Sequence, residues 1–203
     1  MYTNIPSDEV IAKVAENLNA RNITPIIVST KEEALAEIKK LIPAGGSVMN
    51  GSSQTLQEVG FIDYLKAGKH GWNNVHDEFL KETDPAKQAR LRKESVLADY
   101  FLGSVHAITE AGQLVVASAS GSQMPSYAFT SNNVIWVAGA QKIVPTLDAS
   151  FSRIKEYVIP LEDTRVKGVG YPGTTWARTL IIEREIMPHR HLTVILVKEK
   201  LGF

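Results

Sequence analysis

Residues 111–141 read AGQLVVASASGSQMPSYAFTSNNVIWVAGAQ, and this stretch decides how the chain folds. It contains no charged side chain and no histidine, although 22% of the whole chain is charged, and Glu110 and Lys142 flank it. So long an uncharged stretch in a chain of this composition indicates buried structure. Glycine, proline and two adjacent asparagines interrupt its apolar runs, which excludes a membrane-spanning helix.

Two apolar runs within this stretch, residues 114–117 and residues 134–137, are predicted to be buried strands. Residues 118–123 between them are serine, alanine, glycine and glutamine, a composition typical of a turn. Such a turn offers backbone N–H groups and hydroxyls to a ligand, so we expect a small-molecule site here. The turn residues predicted to bind the ligand are Ser120, Gly121, Ser122 and Gln123.

The composition of the chain limits its class and its partners. Its 203 residues are most simply one domain, residues 1–203, which buries roughly 70% of the unfolded surface. Lysine plus arginine and aspartate plus glutamate number 22 each, so no strong basic field favours nucleic acid. The amino terminus does not resemble a signal peptide, and no apolar segment reaches the roughly 20 residues of a membrane helix. We therefore expect a soluble, cytoplasmic protein without a nucleic-acid or membrane partner.

The chain has no cysteine, which excludes several kinds of site. A disulfide framework, a thiol nucleophile, a cysteine-ligated zinc ion and a cysteine-bound iron–sulfur cluster all require cysteine. His189 and His191 alternate in a turn, but no third ligand is evident beside them, so no metal site is predicted. We expect no cofactor within this chain, and any iron–sulfur cluster would belong to a partner.

Helices and strands alternate along the sequence, which predicts an α/β domain with a mostly parallel sheet flanked by helices. Ser7, Thr30 and Thr146 each precede an apolar pattern of helical period and are expected to cap a helix. The β-branched run Ile23–Val28 and the short run Ser47–Asn50 are predicted to be strands.

Further elements complete this prediction. A helix is expected from Pro85 to Gly103, because Asp84 and Pro85 form a helix start and Gly103 a stop. Residues 105–109 and 114–117 are predicted to form a hairpin around a tight turn. Residues 179–185 and 192–199 are predicted to be a pair of strands.

The loop at residues 50–55 is the first candidate site, because it lies between a strand and the start of a short helix. Free N–H groups and the positive end of a helix suit a carboxylate or a phosphate there. A plain N-cap turn formed by Ser52 or Ser53 explains the same residues, and Glu58 could equally be a solvated surface carboxylate. The residues predicted to bind a ligand here are Asn50, Gly51, Ser52, Ser53, Thr55 and Glu58.

The second candidate is the turn that contains Thr109, Glu110 and Gly112. A carboxylate that follows a buried strand and precedes small residues is well placed to act as a nucleophile or a general base, so Glu110 is the candidate catalytic residue. The alternative is an ordinary hairpin turn whose glutamate faces water.

The third candidate is the segment after the second buried strand. Gly139 and its small neighbours let the backbone approach a ligand closely, and Lys142 could neutralise an anion. Arg153, on the helix that follows, is a second candidate cation. The alternatives are a lysine that extends to solvent for Lys142 and a surface salt bridge for Arg153.

Three segments carry a resemblance to a known family: GSSQTLQE (51–58), DYFLGSVHAITEAG (99–112) and VAGAQKIVP (137–145). In their order and spacing they resemble the lactate-utilisation (LUD) domain family over about residues 5–165. The resemblance implies the fold shared by coenzyme A transferases and by sugar-phosphate isomerases of the ribose and glucosamine type. It also implies a connection to the oxidation of L-lactate to pyruvate, in which some family members carry iron–sulfur clusters. This cysteine-free chain resembles the short members that accompany such an oxidoreductase.

Three hypotheses about function follow. The first is a cytoplasmic protein that binds a small anionic metabolite and supports the use of lactate or another 2-hydroxy acid, with iron–sulfur oxidoreductase subunits as partners. The second is an enzyme of the coenzyme A transferase or sugar-phosphate isomerase type, because Glu110 and Gly112 resemble the Glu-x-Gly turn of the transferases. The third is a non-catalytic assembly subunit. The sequence leaves a homo-oligomer open.

Overall fold

The computed structural model describes residues 2–203 and alternates helices with strands, as the sequence predicts. The helices are α1 (Asp8–Asn19), α2 (Lys31–Leu41), α3 (Gln54–Glu58), α4 (Phe61–Lys66), α5 (Val75–Lys81), α6 (Pro85–Glu94), α7 (Leu147–Arg153) and α8 (Ile159–Gly168). The strands are β1 (Ile23–Val28), β2 (Ser47–Asn50), β3 (Asn73–Asn74), β4 (Tyr100–Gly103), β5 (Ala107–Thr109), β6 (Leu114–Ser118), β7 (Asn133–Gly139), β8 (Ile143–Val144), β9 (Arg178–Ile182) and β10 (His191–Val197). Single-turn 3-10 segments cover Ser95–Leu97 and Ala140–Lys142, and π-helical segments cover Ser126–Thr130 and Ile154–Val158.

The larger sheet, sheet A, has six strands in the order β1-β10-β7-β4-β2-β3, and every neighbouring pair is parallel. The carboxyl ends of its strands therefore lie along one edge. The predicted α/β class and the mostly parallel sheet flanked by helices are confirmed. This edge is where ligands bind in open α/β folds.

The smaller sheet, sheet B, has four strands in the order β8-β5-β6-β9. Strands β5 and β6 form the predicted antiparallel hairpin, β6 pairs antiparallel with β9, and β5 pairs parallel with β8. Sheet B places the hairpin and the end of β6 beside the central strands of sheet A.

Strand β7 runs through the core and is buried on both faces. Val134 and Trp136 pack in one apolar cluster with α1 and sheet B, whereas Ile135 and Val137 pack in another with α2, α3 and α4. Because both faces are covered, the strand is an unbroken apolar run, and the strand predicted at residues 134–137 is confirmed.

The predicted helix starts are confirmed by their capping hydrogen bonds. Ser7 Oγ accepts from the N–H of Val10, Thr30 Oγ1 from that of Glu33, and Thr146 Oγ1 from that of Ala149. Each hydroxyl satisfies one of the backbone donors that the first turn of a helix leaves unpaired.

The helix predicted from Pro85 to Gly103 is wrong in its second half. It ends at Glu94, and Tyr100–Gly103 is strand β4, which pairs with β2 and β7 at the centre of sheet A. Aromatic residues favour strands, and pairing on two sides outweighs the local helical pattern. Gly103 is the last residue of β4, and Tyr127 packs directly against it, since a Cβ there would lie 1.7 Å from Tyr127 Oη.

The predicted strand pair at residues 179–185 and 192–199 is also wrong. Strand β9 pairs with β6 in sheet B, whereas β10 lies between β1 and β7 in sheet A. Residues 118–123 likewise do not join neighbouring strands, because β6 and β7 belong to different sheets and the π-helical segment Ser126–Thr130 also lies between them. Among residues 2–203, no helix has the length and apolar character that crossing a membrane requires.

Candidate functional site

A cavity of about 1270 Å³ opens at the edge of sheet A where the strands end. Its wall contains the loop after β2, the segment after β4, the turn after β6 and Lys142 after β7. The structure thus brings together most of the residues that the sequence predicted to bind a ligand. The predicted residues that line the cavity are Asn50, Gly51, Ser52, Ser53, Thr55, Ser120, Ser122, Gln123 and Lys142.

Lys142 is the buried cation of this wall. It ends a 3-10 turn directly after β7 and is 3% exposed. Its Nζ donates to Thr55 Oγ1 at 2.9 Å, to Ser104 Oγ at 3.0 Å and to the carbonyl of Val105 at 3.2 Å. The lysine therefore does not extend to solvent, and neutral oxygen atoms hold its amine at the wall of the cavity.

The surroundings of Lys142 disfavour its charge. Among residues 2–203 it forms no ion pair. Burial, assisted by the positive charge of Arg153 and opposed by Glu58, lowers the pKa of Lys142 to about 7. Near neutral pH the amine is therefore divided between its charged and neutral forms, and an anion in the cavity would favour the charged form.

Arg153 does not line the cavity but lies behind it. The residue is fully buried at the end of α7, its Nη1 donates to the carbonyl of His106, and its guanidinium lies 5.3 Å from the ring centroid of Tyr157. Its Nε and Nη2 have no hydrogen-bond partner among residues 2–203. Burial lowers the pKa of Arg153 to about 10. Its positive charge therefore acts on Lys142 from within the protein, and the alternative of a surface salt bridge is not seen among residues 2–203.

His106 lines the cavity and was not predicted as a site residue. Its Nδ1 accepts from the N–H of Ala117 at 3.1 Å, so the ring hydrogen is on Nε2. Burial first, then Lys142 and Arg153, lower the pKa of His106 to about 3. The ring is therefore a neutral donor at physiological pH. A strand predicted at Tyr100–Gly103 would have indicated His106 as a site residue, because His106 follows the carboxyl end of that strand.

The loop after β2 caps helix α3 and packs closely against the turn after β6. Ser53 Oγ accepts from the N–H of Leu56 at 3.3 Å, so Ser53 does cap α3. Ser52 Oγ accepts from Arg165 Nη2 at 3.3 Å. A Cβ on Gly51 would lie 3.8 Å from Gln123 Cβ, which shows that this loop and the turn after β6 are in close contact.

The turn after β6 is held by its own hydroxyls. Ser118 Oγ accepts from the N–H of Gly121 at 2.9 Å and lies 3.1 Å from Gln123 Oε1. Ser120 Oγ lies 3.1 Å from Ser122 Oγ, and both residues line the cavity. Gly121, at φ +75°, shapes the turn but does not itself line the cavity.

The turn with Glu110 lies outside the cavity. The Glu110 side chain is exposed, its N–H donates to the carbonyl of Val144, and its carbonyl accepts from Asn17 Nδ2 at 2.7 Å. Thr109 Oγ1 accepts from the N–H of Gln113 at 3.0 Å. Gly112 has φ +88°, and a Cβ there would lie 2.9 Å from the backbone of Asn17. The structure thus shows a hairpin turn packed on α1, and Glu110 does not line the cavity that Lys142 lines.

Glu58 and Gly139 also lie outside the main cavity. Glu58 Oε2 accepts from the N–H of Gly202 at 2.7 Å, and Glu58 lines a separate cavity of about 430 Å³. Glu58 is exposed, as the alternative of a solvated surface carboxylate has it, and it does not line the main cavity. A Cβ on Gly139 would lie 2.5 Å from the carbonyl of Glu199, so this glycine allows two segments of backbone to meet.

Another part of the cavity wall supplies further charge. His76, Arg92 and Lys93 from α5 and α6 line it, and Glu162 on α8 pairs with Arg165. Burial lowers the pKa of His76. The many charges between residues 76 and 94 suggest a solvated helix, and only the fold reveals that some of them face the cavity. No three His, Asp or Glu side chains of the described residues come together in a way that could hold a metal ion.

Comparisons with known proteins support the fold. The family model described as the LUD domain matches residues 11–197. The crystal structure of a DUF162 family protein from Deinococcus radiodurans matches with a TM-score of 0.56 over 95% of this chain and 99% of that chain. The two sequences are 13% identical, so this match concerns the fold alone. A comparison with curated proteins finds no match.

Proposed function

The chain belongs to the LUD domain family, and we propose that it binds a small anionic metabolite in the cavity at the edge of sheet A. The metabolite is a carboxylate of the lactate class, and binding supports the use of lactate or a related 2-hydroxy acid. The name of the family and the chemistry of the cavity wall support this assignment.

The observation that carries the proposal is the buried amine of Lys142. Burying a cation without a carboxylate partner is costly, and a bound anion removes that cost. Charge-assisted hydrogen bonds to a carboxylate are about twice as strong as neutral ones. The site therefore has a physical reason to prefer an anion over a neutral ligand of the same size.

The remaining donors suit a small carboxylate. Ser120 and Ser122 bring hydroxyls to the wall, Arg92 and Lys93 add positive charge, and the ring of His106 adds a neutral N–H donor. A three-carbon hydroxy acid has one carboxylate and one hydroxyl. The carboxylate needs a cationic partner, and the hydroxyl needs a neutral hydrogen-bonding group beside it. Lys142 and His106 meet these two needs.

The proposal extends to location and partners. A protein that supports 2-hydroxy acid oxidation needs an electron acceptor, and this chain has no cysteine to hold an iron–sulfur cluster. We therefore assign the redox step to iron–sulfur oxidoreductase subunits in the cytoplasm, with this chain as the ligand-binding subunit.

A thermal-shift panel tests the proposed ligand class. The compounds are L-lactate, pyruvate, glycolate, sugar phosphates, coenzyme A thioesters and inorganic phosphate, and the proteins are wild type, Lys142→Ala and Lys142→Met. A ligand at ten times its dissociation constant adds about 1.4 kcal/mol, or about 2–4 °C for a domain of this size. We expect the 2-hydroxy and 2-oxo acids to shift the wild type and neither Lys142 variant.

The exposed Lys66, which forms no ion pair among the described residues, provides the matched control as Lys66→Ala. This variant should respond as the wild type does. Equal shifts in wild type and Lys142→Met would contradict the proposal that Lys142 binds the anion. No shift with any compound would favour the assembly-subunit hypothesis, and a shift with coenzyme A thioesters alone would favour the transferase hypothesis.

A further inference from the structure

We propose that Lys142 is a nucleophile, and that its neutral amine forms an imine with the carbonyl carbon of a 2-oxo acid bound in the cavity. This inference rests on the proposed function, because it takes the carboxylate of the 2-oxo acid to be held by the same cavity wall. It goes further in assigning covalent chemistry to Lys142.

The three hydrogen-bond partners of Nζ are neutral oxygen atoms, and none of them is a carboxylate that would hold Lys142 in its charged form. Ser104 Oγ donates its hydrogen to the carbonyl of Val137 at 2.6 Å, so it accepts from Nζ, and the carbonyl of Val105 only accepts. The third partner, Thr55 Oγ1, accepts from Nζ in the structure, and its hydroxyl can turn to donate to the lone pair of a neutral amine. The neutral amine can therefore keep all three contacts, with two N–H donors and one lone pair.

Thr55 also provides a way to release the lone pair. Its Oγ1 lies 3.4 Å from the carbonyl of Leu201, which is an alternative acceptor for the hydroxyl hydrogen. When the hydroxyl turns to Leu201, the lone pair of Lys142 Nζ becomes available for attack on a carbonyl carbon. A charged ammonium group has no lone pair and could not use this arrangement.

The charged groups that face Lys142 come from three parts of the fold. Arg153 on α7 disfavours the ammonium form, Glu58 on α3 favours it, and His106 after β4 is neutral. Glu58 is engaged by the N–H of Gly202 and by the side chain of Gln54 at 3.0 Å, and it forms no ion pair with Lys142. Burial and Arg153 together outweigh Glu58, so the neutral form is present at neutral pH.

The bond changes balance with one proton from solvent. The lone pair of Nζ attacks C2, and the carbonyl oxygen takes the proton that Nζ loses, which gives a neutral carbinolamine. A proton from solvent then converts the hydroxyl to water, the C2–O bond breaks, and the lone pair of Nζ forms the second bond to C2 of a protonated imine. His106, whose Nε2 carries the ring hydrogen, is the donor in the cavity wall that can hydrogen-bond the carbonyl oxygen during attack.

Reductive trapping tests the inference. Wild type, Lys142→Met and Lys66→Ala are incubated with pyruvate and sodium cyanoborohydride, which reduces a protonated imine in preference to a free ketone, and the labelled peptide is identified by mass spectrometry. Hydride addition at C2 converts the imine to a stable secondary amine, whose mass gain equals that of pyruvic acid less one oxygen atom. We expect this gain at Lys142 in wild type and Lys66→Ala, and none in Lys142→Met. The yield should increase as the pH rises through about 7.

Peptide mapping of the wild type needs no variant, so the test stays decisive even if Lys142→Met folds poorly. Labelling spread over surface lysines, or no label at Lys142, would overturn the inference. A thermal shift by pyruvate on the same samples separates the two failures. Binding without a label contradicts the nucleophile alone, whereas neither binding nor label contradicts the proposed function as well.

Discussion

At the scale of single residues, Lys142 combines burial, neutral hydrogen-bond partners and a second cation nearby. Burial and the positive charge of Arg153 lower its pKa, and its hydrogen bonds hold the amine at the wall of a cavity. A lysine of this kind binds an anion with its charged form and reacts with a carbonyl with its neutral form. The two roles therefore have opposite dependence on pH.

The first prediction concerns anion affinity. We expect the affinity for L-lactate, which has no carbonyl to form an imine, to fall as the pH rises above about 7, because the free protein then loses the charge on Lys142. The loss should approach about tenfold per pH unit, and binding above pH 7 should take up protons. Calorimetry in buffers of different ionisation enthalpy measures both quantities. Affinity that does not change with pH would show that Lys142 is not the group that binds the carboxylate.

His106 leads to a prediction about acid stability. Its pKa is about 3 in the folded protein and 6.5 as the ordinary value, so between these values the unfolded state binds a proton that the folded state does not. Stability should therefore fall as the pH falls from 6.5 towards 3. We expect His106→Gln to reduce this slope in urea titrations, whereas His189→Gln, at an exposed position, should leave it unchanged. Equal slopes in wild type and His106→Gln would contradict the lowered pKa of His106.

At the scale of elements, strand β4 is the piece that sequence patterns did not reveal. Its residues continue the apolar pattern that follows α6, so the local pattern predicts a longer helix. The strand pairs on both sides, with β2 and with β7, and such pairing is not visible in a local pattern. Because the strand was not predicted, Ser104 and His106 were not predicted as site residues, although both follow the end of this strand at the cavity.

Gly103 gives the prediction that belongs to this element. A Cβ at this position would lie 1.7 Å from Tyr127 Oη and 2.9 Å from its Cζ, within the packed core. We expect Gly103→Ala to destabilise the protein by about 1–3 kcal/mol or more, because the tyrosine ring must move. Gly168→Ala is the control, since no atom lies within 4 Å of its added Cβ. Urea denaturation measures both, and equal stabilities would contradict the tight packing of Tyr127 against β4.

Helix starts, by contrast, could be predicted from single residues. Ser7, Thr30 and Thr146 each carry a hydroxyl one position before a helical pattern, and the capping bond is a local interaction. The loops at residues 50–55 and 118–123, which line the cavity, could be predicted for a similar reason, because small polar residues that follow a buried strand have few structural alternatives.

At the scale of the whole molecule, the division into two sheets decides which candidate residues meet. Ligands in open α/β folds bind at the carboxyl ends of the strands. In sheet A these strand ends bring Asn50, His106 and Lys142 together at one cavity. Glu110 follows β5 of sheet B, and its turn packs on α1 instead. Which strands share a sheet depends on long-range pairing, so the sequence could not separate these two groups of candidates.

Arg190 links distant parts of the fold and leads to a stability prediction. It is 7% exposed, pairs with Glu185 at 2.6 Å, and donates to backbone carbonyls of the segment around Ser126–Thr130. Arg190→Met leaves Glu185 buried and unpaired, which should cost about 3–5 kcal/mol. Arg184→Met, at an exposed position without an ion pair among the described residues, should cost little. Equal stability of the two variants would contradict a central role for the Arg190 pair.

The central claim is that Lys142 holds an anion in the cavity at the edge of sheet A. Its most direct test is the calorimetric affinity of L-lactate for wild type, Lys142→Met and Lys66→Ala near pH 6.5, a pH below the pKa of about 7 for Lys142. We predict that Lys142→Met binds about ten- to hundredfold more weakly than wild type, as expected for a lost charge-assisted hydrogen bond, and that Lys66→Ala binds equally. Equal affinity of wild type and a folded Lys142→Met protein would contradict the claim.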